Sequence, residues 1–113
     1  MGWFKSLRGR RRSRGGVRAD GPGMGIDAGQ VRAHLASFAS SRRGVEAYVE
    51  PPTNVTATTM VFIAHDGEWT RRAVPSRDTA WEFARSLGVP VYDVQQTGYP
   101  SRMREWNSRQ RRR

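Results

Sequence analysis

Cysteine is absent from the 113 residues. That removes disulfides, thiol catalysis and every cysteine-containing zinc site, and it fits a reducing compartment. Histidine occurs only twice, as His34 and His65. Two histidines without cysteine do not assemble a dedicated transition-metal site, so no metal and no cofactor is expected. Lysine is nearly missing as well: Lys5 is the one lysine among 20 basic residues, and the rest are arginine. No apolar run is long enough to span a membrane. Arg8 follows directly on Leu7, so the N-terminus lacks the apolar core of a signal peptide, and the expected location is cytoplasmic. Walker loop, nucleophile elbow and dinucleotide fingerprint are missing too. Gly21, Gly23 and Gly25 follow no strand, which makes them linker and not a phosphate cradle. No motif names a reaction, and the balance leans away from an enzyme.

What is present is charge, unevenly placed. Residues 1–18 hold seven bases and no acid, a charge of +7. Residues 102–113 hold six arginines against Glu105, a charge of +5. The stretch between, 19–101, holds seven arginines against nine acids and carries −2, which completes the net +10. A peripheral excess of this kind suits segments that seek phosphate or anionic lipid. Arginine in place of lysine favours bidentate contact with phosphate over a simple point charge.

Residues 1–25 combine dense like charge with repeated glycine and cannot bury enough apolar surface to offset chain entropy, so a disordered Arg/Gly-rich arm is expected there. A small α/β domain follows over 26–99, then a basic tail over 100–113. Asp27 and Gln30 have capping-box spacing. Val31, Leu35, Phe38 and Ala39 form one apolar stripe, which predicts a helix over 27–42 that Gly44 stops. Alternation over 45–50 predicts a strand with Val45, Ala47 and Val49 inward. Pro75-Ser76 introduces a second helix, with Ala80, Phe83, Ala84 and Leu87 on one face and Trp81 widening it. Gly88 and Pro90 end that helix, and 91–94 make a short fourth strand. The fold class is therefore α+β, in the order α-β-β-β-α-β, with a mixed four-stranded sheet and flexible basic termini. In the tail Met103 and Trp106 stand one turn apart, the spacing of a short docking helix, with the last four or five residues free.

Between the first strand and the second helix lies the strongest local signal, an apolar run over 56–64, the pair Asp66-Gly67, and a second alternating run over 69–74. A two-residue turn at Asp66-Gly67 pairs His65 with Glu68, Ala64 with Trp69, Ile63 with Thr70 and Phe62 with Arg71. Met60 to Ala64 is apolar on both faces, which suits a central strand covered on both sides. If both helices lie on one face, Met103 and Trp106 of the tail, or a second copy of the chain in a homodimer, cover the other.

This order of elements, together with Ile63-Ala64-His65-Asp66-Gly67-Glu68-Trp69, resembles the core of restriction-endonuclease-like nucleases. The resemblance implies an acid on the second strand and an acid-x-Lys on the third to hold magnesium. Here the first position falls on or near Val61, and the third strand, 69–74, has no carboxylate, so the metal-dependent chemistry is not implied. More of the chain, about 30–105, is similar to a family of small actinobacterial proteins with no established activity. The likeness is carried by 42–59, by His65-Asp66-Gly67-Glu68-Trp69-Thr70-Arg71-Arg72, and by 89–94 with 98–104. It implies a bacterial origin. Some members of that family carry an oxidoreductase label, and no residue pattern here forms a redox cofactor site.

The functional expectation therefore rests on the arginines. Arg8, Arg10, Arg11, Arg12, Arg14 and Arg18 at one end, and Arg102, Arg104, Arg109, Arg111, Arg112 and Arg113 at the other, are the candidate nucleic-acid contacts. RNA is favoured over DNA because the arms are expected to be disordered and no recognition helix is evident. Trp106, beside Arg102, Arg104 and Arg109, either packs against the sheet or stacks on a base. A competing expectation is a peripheral membrane-surface protein, with Trp3, Phe4 and Leu7 as an interfacial wedge ahead of the polybasic run. A small enzyme of unknown reaction is the third, and it requires a concave site that gathers at least two of Glu46, Asp66, Glu68 and Asp93.

Overall fold

The computed structural model describes residues 25–112. Helix α1 spans Ala28–Ser41 and is capped as its sequence demands, the Asp27 carboxylate accepting from the Gln30 N–H at 3.1 Å. Strands β1 (Glu46–Glu50), β2 (Thr59–Ile63) and β3 (Trp69–Ala73) follow, then helix α2 (Arg77–Ser86), capped by the Ser76 hydroxyl on the Thr79 N–H at 3.1 Å. Strand β4 (Val91–Asp93) leads without a break into a single helical turn, α3 (Val94–Thr97), and the chain closes with α4 (Ser101–Arg111). The sheet is mixed, in the order β3-β2-β1-β4. β2 is antiparallel to both β1 and β3, while β4 lies parallel to β1. The fold is α+β with the expected α-β-β-β-α-β order.

Two apolar layers sandwich the sheet. On one face α1 and α2 bury Leu35, Phe38, Ala80, Phe83 and Ala84 against Val45, Ala47, Val49, Met60 and Phe62. On the other face Tyr48, Val61 and Ile63 lie beneath Met103 of α4, with Trp69 and Val94 at the margin. Met60, Val61, Phe62 and Ile63 are all at 0% exposure, as a strand covered on both faces requires. The tail helix is thus the cover of the second face, which removes the reason to invoke a second copy there. It also runs further than expected. Where the last four or five residues were expected to be free, it stays helical through Arg111, and Arg112 donates to the Ser108 hydroxyl at 2.7 Å.

The hairpin departs from expectation by one residue. Ile63 pairs with Trp69, Phe62 with Thr70 and Val61 with Arg71. The loop therefore holds three residues, His65, Asp66 and Gly67. Ala64 donates to the Glu68 carbonyl at 2.8 Å, Gly67 donates to the Ala64 carbonyl at 2.9 Å, and Gly67 has a φ of +96°. This is a three-residue hairpin connection with its glycine at the bulge. The physical reason for the register is burial. Side chains alternate strictly between faces, so a one-residue slip transfers the whole of β3. The observed register puts Trp69 beside Ile63 under α4, and Thr70 and Arg72 on the α1 side. His65 consequently has no cross-strand partnership with Glu68: it is exposed in the loop, its N–H donating to the Arg43 carbonyl at 2.9 Å.

Gly67 is indispensable for a second reason. A Cβ there would lie 2.0 Å from the Arg102 carbonyl oxygen and 2.9 Å from the Trp106 Cβ. Helix α4 crosses the hairpin tip at backbone contact, and only glycine leaves room.

Candidate nucleic-acid interface and polar clusters

Which arginines are available to a ligand is decided by the fold. Arg42 lies in the turn after α1 and grips Glu68 with Nε and Nη2, at 3.2 and 2.8 Å, while its guanidinium covers the Phe38 ring. Arg71 on β3 binds Glu50 in the same forked manner at 2.8 and 2.9 Å. Arg77 opens α2 and meets Asp93 at 3.1 Å. Arg102 is half-buried: Nε donates to the Ala64 carbonyl at 3.0 Å and Nη2 to Glu46 at 2.6 Å. Four of the domain's acids are thereby neutralised, three by its own arginines and Glu46 by Arg102 of the tail.

Among the expected tail contacts, then, Arg102 is turned inward and pins α4 to the hairpin end of the sheet. Arg109 donates to the Asp66 carbonyl at 2.8 Å and lies over the Trp106 ring, 5.7 Å from its centre. Trp106 itself is half-buried against the hairpin tip, so it packs as part of the α4 dock. Arg104 and Arg111, seven residues apart on one exposed flank of α4, have no side-chain partner among the described residues, and Arg112 is exposed beside them. Arg43 in the α1–β1 turn and Arg85 at the end of α2 are likewise exposed and unpaired among the described residues. Arg8, Arg10, Arg11, Arg12, Arg14, Arg18 and Arg113, with Trp3, Phe4, Leu7 and the arm over 1–24, lie outside the described residues.

A polar network lies on the α4 face and was missed at the level of sequence. Glu50 accepts from Arg71, from the Thr59 hydroxyl at 2.5 Å and from the Tyr99 hydroxyl. Burial pushes the Glu50 carboxyl up, but those three donors and the Arg71 charge outweigh it and hold it below its ordinary value. Two residues back along the same face of β1, Tyr48 donates to Glu46 at 3.0 Å, and burial first, then that carboxylate, push its phenol up to about 12. Burial likewise raises the Tyr99 phenol, with the Glu50 hydrogen bond adding to it. The only hint in the sequence was the period-2 spacing of Glu46, Tyr48 and Glu50. Their partners come from β2, β3, the α3–α4 turn and α4, which no local pattern links to them.

The α1–β3 crevice holds His34, whose Nε2 lies 2.8 Å from the Thr70 hydroxyl. Burial, reinforced by the charges of Arg72 and Arg42, lowers its pKa. A shallow groove of about 230 Å³ there includes Glu68, and one of about 50 Å³ beneath Pro51 and Pro52 includes Asp93. Among the described residues, neither of these two grooves brings together two of Glu46, Asp66, Glu68 and Asp93. The same residues contain no cluster of three His, Asp or Glu able to hold a metal ion. Val61, where the nuclease resemblance would need an acid, is at 0% exposure in the layer beneath Met103. Among the described residues no helix is long and apolar enough to cross a membrane. No family model, no curated protein and no solved structure matches the chain.

Proposed function

We propose that the chain is a non-catalytic nucleic-acid-binding protein, RNA favoured over DNA, in which arginines outside the domain's own ion pairs grip the phosphates. The observation that carries this reading is the separation of charge. The domain's carboxylates Glu46, Glu50, Glu68 and Asp93 each hold an arginine. The arginines left without a described partner include Arg104 and Arg111 on the outer flank of α4, and residues 1–18 add +7. A polyanion therefore meets unpaired guanidinium, while the paired arginines stay on their own carboxylates.

The test uses the intact chain, titrated against single-stranded RNA, duplex DNA and anionic vesicles over a salt series. Neutralising about six phosphates predicts that log affinity falls with log salt at a slope of about −4 to −5. Deleting residues 1–18 and, separately, changing Arg104, Arg111, Arg112 and Arg113 to Gln each flatten the slope. Retained RNA affinity after both changes together overturns the proposal. Vesicle binding that is abolished by Trp3→Ala with Phe4→Ala, with no RNA binding, assigns the basic segment to a membrane surface instead.

A further inference from the structure

All three tyrosines of the chain come to the α4 face of the sheet. Tyr48 and Tyr92 are opposite each other in the parallel β1–β4 register, with ring centres 5.4 Å apart and planes inclined at 31°. Tyr48 is the buried member at 6% exposure, and its hydroxyl is held by Glu46. Tyr92 stands on the edge strand at 36% exposure, with no partner for its hydroxyl among the described residues. Tyr99, at 37%, reaches the same face with its hydroxyl on Glu50.

We propose that Tyr92, backed by Tyr48, is a stacking platform for an unpaired base of single-stranded RNA. This rests on the nucleic-acid reading above and adds the group that meets the bases. Three features favour a base as the occupant. The ring is braced from behind, so little side-chain freedom is lost on stacking. The carboxylates flanking Tyr48 are neutralised, Glu46 by Arg102 at 2.6 Å and Glu50 by Arg71 at 2.8 Å, so neither repels a phosphate approaching the shelf as a bare acid would. The chain's +10 draws polyanions, and a single-stranded nucleic acid presents a flat π face at every base, which anionic headgroups lack.

The test compares a 12-nucleotide oligoadenylate with an abasic chain of the same length and charge, each titrated into the full-length protein. The expected result is a roughly 5- to 150-fold preference for the base-bearing chain. Tyr92→Leu abolishes that preference, Tyr92→Phe keeps it, and all three proteins share one salt slope. The Tyr92 ring resonances shift on adding oligoadenylate but not the abasic chain, a readout that does not depend on any variant folding. Equal affinity of the unaltered protein for both chains, or a preference that survives in Tyr92→Leu, overturns the platform and leaves the phosphate reading standing. Binding to neither overturns both. Oligoproline bound through Tyr92, with no discrimination between the nucleotide chains, overturns the platform in favour of a peptide.

Discussion

Replacing Gly67 by Ala probes the junction on which the second layer of the fold depends. Two costs add there. The first is conformational: an L-residue in the left-handed region is disfavoured by about 1–2 kcal/mol. The second is steric. A Cβ at 2.0 Å from the Arg102 carbonyl oxygen cannot be absorbed by a rotamer change, because the obstructing atom is backbone. Helix α4 must withdraw by about 1 Å or more, and a gap of that size forfeits a quarter to a half of the dispersion attraction it opens. Met103, buried at 7% exposure beneath that helix, the Trp69–Asn107 hydrogen bond of 2.8 Å and the Arg102 contacts are weakened together. We expect a total loss of about 3 kcal/mol, of which about 2 kcal/mol belongs to the displaced helix.

The fold supplies its own control. Gly88 closes α2 with φ +71° and nothing within 4 Å of where a Cβ would stand. Gly88→Ala therefore bears the conformational cost alone, about 1 kcal/mol. Urea titration followed by tryptophan fluorescence separates the two. At a slope of about 1 kcal/mol per molar, Gly67→Ala should unfold about 2 M earlier than Gly88→Ala. Equal midpoints for the two variants would refute the backbone contact between α4 and the hairpin tip.

Three further outcomes follow from the same layer. Arg102→Ala leaves Glu46 without its cation and should cost about 1–2 kcal/mol in urea midpoint, whereas Arg104→Ala, exposed and unpaired, should stay within about 0.5 kcal/mol and act only on RNA affinity. Met103→Ala should cost about 2–3 kcal/mol and expose apolar sheet to a hydrophobic dye, an increase that an intact second layer would not show. The Glu50 carboxyl is held below its ordinary value in the folded chain, so the unfolded chain binds more protons as acid is added. Its contribution is complete above the ordinary glutamate range and is lost as pH falls through the folded pKa. The stability gap between the unaltered protein and Glu50→Gln, measured by urea titration from pH 6 to pH 3, should therefore narrow towards acid, and a constant gap would refute the pairing.

The parts legible from sequence are those coded by neighbours along the chain. The caps Asp27 and Ser76, the apolar stripe of α1, and the inward set Val45, Ala47 and Val49 all follow from spacings of two to four residues. Even the doubly covered β2 was readable, because Met60 to Ala64 is apolar at every position. The register of the hairpin was not. Asp66-Gly67 fits a two-residue and a three-residue connection equally well, and what decides is Trp69 finding its place beside Ile63 under α4, a contact 38 residues from Asn107. The single turn of α3 was hidden for a different reason. Its start is set by Asp93, whose side chain caps the Gln95 N–H at 2.8 Å while also meeting Arg77. A four-residue helix has no period to detect.

The tail changes character most between sequence and structure, and with it the way the proposed function is to be tested. Read as charge alone, 102–113 and 1–18 are two equivalent basic arms. In the fold, α4 has two unlike sides. Met103, Trp106, Asn107 and Arg102 face the sheet and the hairpin tip, while Arg104 and Arg111 face away. Deleting 102–113 would remove a net charge of +5 and also strip the cover from Tyr48, Val61 and Ile63, so loss of binding in such a truncation would report unfolding as readily as lost phosphate contacts. Substitution separates the two. Changing Arg104 and Arg111 to Gln alters charge on the outer flank and leaves the packed side intact, whereas Gly67→Ala displaces the helix and leaves its charge unaltered. RNA affinity that falls with the first change by a factor that grows at low salt assigns the outer flank to phosphate. Affinity indifferent to both glutamines but lost in Gly67→Ala would exclude Arg104 and Arg111 as phosphate contacts and assign α4 a structural part in binding.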